Sequence, residues 1–381
     1  MNNNLIKYLE DLIHCESITP LSAGAIEYMN DLLQDFGFST EIKIFGNYKY
    51  KVTNLYAVYG NNSPNICFAG HVDVVPPGDF RLWGNSPFTA TLKKDKIFGR
   101  GAVDMKGALA CALSASFNFI RSNEHHKGSI SFLITSDEEG EGEFGTKRML
   151  QYLYSKKDFH KIDLAILGEP TCKKEVGDVI KIGRRGSINF TVIIRGMQGH
   201  VAYPELACNP INCLVKIFND LTNDKLDNGS EFFQSSNLVI TSIDVDNNAT
   251  NVIPQEASAK FNVRFNNIHS PNSMIDLINK VISKYCTSYQ LNHHSSAVSF
   301  IQEPIGLINE FANVVKDTLG IKPAFTTDGG TSDARFLKDY CQVVEFGLLT
   351  ETAHKIDEYT KINDLQRLYD VYYDSLKKFL S

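Results

Sequence analysis

Apolar residues recur every three to four positions in "LIKYLEDLIHC" and "GAIEYMNDLLQDFG", which predicts two amphipathic helices at the start of the chain. The runs "VTNLYAVYG" and "NICFAGHVDVV" are short, apolar and rich in β-branched residues, and predict strands. "MKGALACALSASFNFI" is apolar on nearly all sides, as a buried helix is; a strand at 128–135, a helix near 146–156 and the buried strand "DLAILG" follow. Alternating helices and strands of this kind build an α/β sheet with both faces covered.

Around residue 180 the order changes. A long strand pattern, "IKIGRRGSINFTVIIRG", precedes the helix "NPINCLVKIFNDLTN", the strands "SNLVITSIDV" and "SAKFNVRFN", the helix "SMIDLINKVISKYC" and a last strand "SSAVSFIQ". That β-α-β-β-α-β order is ferredoxin-like. From about 300 the α/β pattern resumes, with a helix at 307–319, the strand "QVVEFG" and a closing helix "INDLQRLYDVYYDSLKKFL". The expected organisation is a discontinuous α/β domain (1–179 and 299–381) carrying an inserted α+β domain (180–298).

Composition narrows the function. At 381 residues and a formal net charge of −6, the chain lacks the basic balance of a general nucleic-acid binder. The first residues carry no secretory pattern, and no window approaches the ~18 apolar residues of a membrane span. Eight scattered cysteines, none in a C-x-x-C pair, read as reduced and mostly buried thiols, as in the cytoplasm. No nucleic-acid or membrane partner is expected.

The candidate chemistry sits where the predicted strands end, the edge at which α/β sheets hold ligands. "GHVDVV" spaces His71 and Asp73 two apart, as a metal-ligating imidazole and a carboxylate that orients it would be, or as a structural His–Asp pair would be. Asp104 stands in the glycine-rich turn "GRGAVDMKG" before a helix, where it also suits an N-cap. Glu138 and Glu139 are adjacent in "TSDEEG", Glu169 ends "LGEPT", and His354 lies in "TETAHKIDE". Two histidines and several carboxylates on one sheet edge suit a pair of zinc-like ions. The stretch "TSDEEGEGEFGT" also spells G-x-G-x-x-G through Gly140, Gly142 and Gly145. Between a strand and a helix this is the dinucleotide fingerprint, but its acids would face a pyrophosphate with like charge, so an NAD-linked oxidoreductase is disfavoured.

Taken in order, "GHVDVVPPGD", "GRGAVDMKGALA", "TSDEEG", "LGEPT", "GRRGS", "GHVAYP", "NVIP", "GGTSDARF" and "TAHKIDE" resemble the dizinc amidohydrolases of the M20 peptidase family over essentially the whole chain. The resemblance implies a zinc-peptidase-like α/β catalytic domain with a ferredoxin-like lid and dimerisation domain. It implies two Zn2+ per subunit, with Co2+ possible at the second position, and a homodimer. Asp104 would bridge the ions, with His71 and Glu169 completing one position and Glu139 and His354 the other. Asp73 would orient His71, Glu138 would carry protons, and the Asp104–Met105 peptide would be cis. His200 would serve the partner's site as an oxyanion donor. Arg184, Asn251, Arg264 and Thr331 would hold a small substrate rich in carboxylates, a task for which guanidinium forks are suited. The implied reaction is amide hydrolysis, with N-acyl-amino-acid deacylases and dipeptidases as the alternatives in the family. Two departures touch substrate choice: Thr350 replaces the family's Asn, and Asp328 adds an acid to the loop "TDGGTSD".

Overall fold

The computed structural model describes residues 3–123, 125–223 and 225–381. They separate by packing into two units, Met1–Ile182 with Gln302–Thr326 and Ser332–Ser381, and Gly183–Ile301 with Thr327–Thr331.

The first unit is built on a mixed sheet ordered Ser39–Gly46, Lys51–Tyr59, Ser129–Thr135, Asn65–His71, Leu164–Leu167, Gln342–Glu345, Val179–Lys181, Ala324–Thr326. The four strands from Ser129–Thr135 to Gln342–Glu345 run parallel. "SISFLIT", "NICFAGH" and "LAIL" are buried at every position, as parallel strands covered on both faces must be. The helix Lys106–Ser122 is buried almost throughout, packed between the helices Asn3–His14 and Ile362–Leu380, which explains why its sequence shows little polar face. Parallel strands present their carboxyl ends on one edge, and this places His71 and the segments after Thr135, Leu167 and Glu345 together.

The second unit is a four-stranded antiparallel sheet ordered Asn237–Asp244, Glu256–Phe265, Gly186–Arg195, Tyr289–Ala297, with the helices Pro210–Asn223 and Pro271–Tyr285. The order matches the ferredoxin-like expectation. Alternate residues Ile188, Phe190, Val192 and Ile194 meet Ala259, Phe261 and Val263 from the next strand, and Leu214, Ile217, Met274 and Ile278 from the helices. Ser270 and Ser273 exchange hydrogen bonds in a capping box that starts the second helix.

Three features differ from the hydropathy reading. The run 180–196 is not one strand: Val179–Lys181 joins the large sheet, Gly183–Arg184 pairs with Phe300–Ile301, and Gly186–Arg195 joins the small sheet. The last strand of the four-stranded sheet is Tyr289–Ala297, which begins before "SSAVSFIQ"; the end of that run holds the separate short strand Phe300–Ile301. Tyr289–Ala297 is an edge strand whose mostly exposed, polar positions carry no apolar alternation. The strand Ser39–Gly46 and the small sheet of Thr91–Lys93, Lys96–Phe98 and Tyr359–Lys361 have no counterpart in that reading, being short or half exposed.

Candidate metal centre

His71 closes its strand, so Asp73 lies beyond the ladder rather than beside His71 on it. The ring Nδ1–H donates to the Asp73 main-chain carbonyl at 2.9 Å, while the nearest Asp73 carboxylate oxygen is 3.7 Å away. That carboxylate instead accepts the backbone N–H groups of Glu138 (3.3 Å) and Glu139 (3.1 Å). Asp73 thus fixes the His71 tautomer through its carbonyl and the two glutamates through its side chain.

With Nδ1 protonated, Nε2 of His71 turns its lone pair to Asp104 Oδ1 (3.3 Å) and Glu169 Oε1 (3.5 Å). The other Asp104 oxygen, Oδ2, lies 3.3 Å from His354 Nε2, which is also 2.8 Å from Glu139 Oε1. One carboxylate therefore stands between two imidazoles, each with a further glutamate. Glu138 belongs to the same cluster: its carboxylate, Glu169 and His71 offer ligand atoms all within 4.8 Å of one another.

Two glycines let these groups converge. Gly70 and Gly168 each precede a candidate ligand, and both face Met105, the neighbour of Asp104. A Cβ at Gly70 would lie 2.2 Å from Met105 Cε, and one at Gly168 2.7 Å from the same atom. Side chains there would push the Asp104 turn away from His71 and Glu169. The Asp104–Met105 peptide is cis.

The donor set fits divalent cations. Buried His71 Nε2, Asp104 Oδ1 and Glu169 Oε1 have no hydrogen-bond partner among the described residues, although such atoms normally find one. Protonation is distorted throughout. Burial and the Asp104 charge push Glu169 up to about 7. Burial and Glu169 hold Glu138 well above the usual carboxylate range. Hydrogen bonds to Asp104 and Glu139 push His354 up to about 10. For Asp104 burial opposes ionisation, but His354 and His71 outweigh it and keep the carboxyl well below its ordinary value. Crowded carboxylates sharing protons with imidazoles are the groups a bound cation stabilises in their deprotonated form. Imidazole and carboxylate donors suit zinc-like ions.

The acidic loop resolves into separate roles. Asp137, left without a role by its sequence, accepts the Phe144 N–H at 3.0 Å and closes the loop on itself. A Cβ at Gly140 would lie 3.0 Å from Asp137 Oδ1 and one at Gly145 3.3 Å from Asp137 Cβ, so these glycines make room for a carboxylate, and the G-x-G-x-x-G spacing here shapes a turn around an acid.

The remaining predicted residues belong to the second unit. Arg184 donates to the carbonyls of Asp328 (3.3 Å) and Gly330 (3.1 Å), next to Thr331. Arg264 donates to Asn262 Oδ1 at 3.1 Å. Sequence reasoning passed over Arg185, whose pKa is lowered by burial and by Arg264 and partly restored by Asp328. Asp328, the extra acid of the loop "TDGGTSD", is thus a counter-charge to Arg185. The signal for Arg185 was the doubled arginine of "GRRGS". His200 and Asn251 meet on a short ribbon in which His200 pairs with Val252 and Val201 N–H donates to Asn251 O.

The description Peptidase family M20/M25/M40 matches residues 67–378. Succinyl-diaminopimelate desuccinylase of Rickettsia bellii (strain RML369-C) is 61% identical over 379 residues, covering 98% of this chain and 96% of the relative. The enzyme of the same name from Rickettsia felis is 61% identical over 381 residues, covering 98% and 100%. Among solved structures, an M20 family metallo-carboxypeptidase from Sulfolobus solfataricus superposes with a TM-score of 0.76 at 18% identity, covering 99% of both chains. An aminopeptidase from Bacillus cereus gives 0.76 at 17% identity over 98% of each. With the match spanning most of its length and both histidines gathered around one carboxylate, the chain belongs to peptidase family M20/M25/M40.

Proposed function

We propose that the protein is a metal-dependent amide hydrolase that converts N-succinyl-LL-2,6-diaminopimelate and water to succinate and LL-2,6-diaminopimelate, a step towards lysine and cell-wall precursors. The observation that carries this reading is the 61% identity, over the full span of the fold, to enzymes named for that reaction. The Asp104 carboxylate shared between two imidazoles supports the hydrolytic chemistry.

His71, Glu169 and Asp104 would hold one Zn2+, and His354, Glu139 and Asp104 a second position that Co2+ also suits. Bound there, such ions polarise the amide carbonyl and lower the pKa of the attacking water. Glu138 takes a proton from that water as the new C–O bond forms, then passes it to the nitrogen of the departing diaminopimelate as the C–N bond breaks. Asp73, by gripping the Glu138 N–H, keeps the carboxylate in place for both transfers. Arg184, Arg264, Asn251 and Thr331 recognise the substrate's carboxylates and amide. The second unit acts as lid and dimerisation domain.

His200 acts in a partner's site. Its Nδ1 accepts the Ala202 N–H at 3.1 Å, so the neutral ring carries its proton on Nε2 and can donate to the carbonyl oxygen as negative charge develops there. A His200→Ala protein should remain dimeric by sedimentation and lose about a hundredfold in kcat, the typical worth of one oxyanion donor. A monomeric wild-type protein, or an unchanged kcat, would defeat the partner role.

The direct test is turnover of the succinyl substrate beside its N-acetyl analogue and a dipeptide, with and without added zinc. Succinate release should require metal and exceed acetyl and dipeptide cleavage by at least tenfold in kcat/KM. Preferred cleavage of either comparator would move the protein to another M20 activity.

A further inference from the structure

We infer that the buried Arg100–Glu358 pair is a positioning device for one of the two metal positions, the one formed by Asp104, Glu139 and His354. The inference rests on the metal assignment above. Both residues are buried, Arg100 at 2% exposure and Glu358 at 0%. Glu358 Oε1 accepts the backbone N–H groups of Val103 (2.9 Å) and Asp104 (3.2 Å), and so grips the turn that presents the bridging carboxylate. Its other oxygen takes Arg100 Nη1 at 2.7 Å. The same guanidinium donates to the carbonyls of Lys355 (3.1 Å) and His354 (3.5 Å), and lies 5.2 Å from the Trp83 ring centroid.

These contacts close a circuit between the turn carrying Asp104 and the turn carrying His354. His354 needs one. It is not on a strand, its side chain is half exposed, and its φ of +62° is one that a non-glycine residue rarely adopts. The other position has a different frame, since His71 ends a buried strand and Glu169 follows one. Loosening the pair should therefore act unequally on the two metals. The two terminal nitrogens of the guanidinium share the three acceptors, Nη1 donating to Glu358 and Lys355 and Nη2 to His354, whereas lysine would have to reach all three from a single nitrogen.

The experiment titrates metal-stripped full-length protein with zinc against a chromogenic chelator, comparing wild type, Arg100→Lys, Glu358→Gln, His71→Ala and His354→Ala. The expected result is that both pair variants weaken the zinc equivalent that His354→Ala loses by about 10–100-fold, and the one that His71→Ala loses by clearly less, since Asp104 serves both but only the His354 turn is also tied through Arg100. Arg100→Lys keeps the buried charge and so gives a folded variant if Glu358→Gln does not. Unchanged binding of both equivalents, or equal weakening of both, overturns the inference, because a merely structural pair would not discriminate between them. If His354→Ala itself still binds two equivalents with wild-type affinity, the metal assignment fails, and it fails in a variant that leaves Arg100 and Glu358 untouched.

Discussion

Glu138→Gln should fold, bind its metals and lose about a hundred- to ten-thousandfold in kcat, the range a positioned general acid–base supplies. The geometry separates this residue from its neighbour. Asp73 accepts both backbone N–H groups, but the Glu139 carboxylate is committed to His354 at 2.8 Å, and the proposed mechanism leaves the Glu138 carboxyl to carry the proton. Burial and Glu169 hold that carboxyl well above the ordinary range, so it keeps a proton more readily than an exposed glutamate does. Glutamine keeps the shape and removes the proton exchange. Steady-state kinetics together with metal analysis of the same sample checks the outcome. A Glu138→Gln enzyme with two metals and near-normal kcat would remove Glu138 from the mechanism, whereas loss of metal would show it to be a ligand.

Much of this site was legible because its residues occur at strand ends, where a one-dimensional pattern already says which edge a side chain serves. His71, Glu138, Glu139 and Glu169 are of that kind. What the pattern could not show is how the loops are tied. Asp73 reads as a partner for the His71 ring, yet its carboxylate is spent on two backbone N–H groups across the sheet. Arg100 and Glu358 are separated by more than 250 positions and meet only through the fold. Gly70 and Gly168 look like ordinary strand glycines until Met105 is seen filling the space beside both. In the fold, failures follow exposure. The polar edge strand Tyr289–Ala297 shows little hydrophobic period, and the run 180–196 hides two changes of sheet inside one stretch of β-formers. Side-chain pattern reports burial, and it is silent where strands are exposed or where successive strands are buried in different sheets.

Asp104→Ala should be the most damaging single change, abolishing measurable turnover and both metal equivalents together. Each Asp104 oxygen lies 3.3 Å from a different imidazole, so no other described side chain touches both positions in the same way. The same logic predicts what metal does for stability. Ligand present at a hundred times its dissociation constant stabilises by about 2.7 kcal/mol per site. Two sites then contribute about 5 kcal/mol, which in a unit of this size moves the melting temperature by on the order of 10 °C. Wild-type protein stripped by chelator should melt that much lower and recover on adding zinc; Asp104→Ala should melt at one temperature whether or not zinc is present. A variant that still gained the full zinc-dependent shift would show that the two positions are held independently and that Asp104 does not join them. A shift of about half would leave one position intact, and its donor set would be read from whether His71→Ala or His354→Ala removes the remainder.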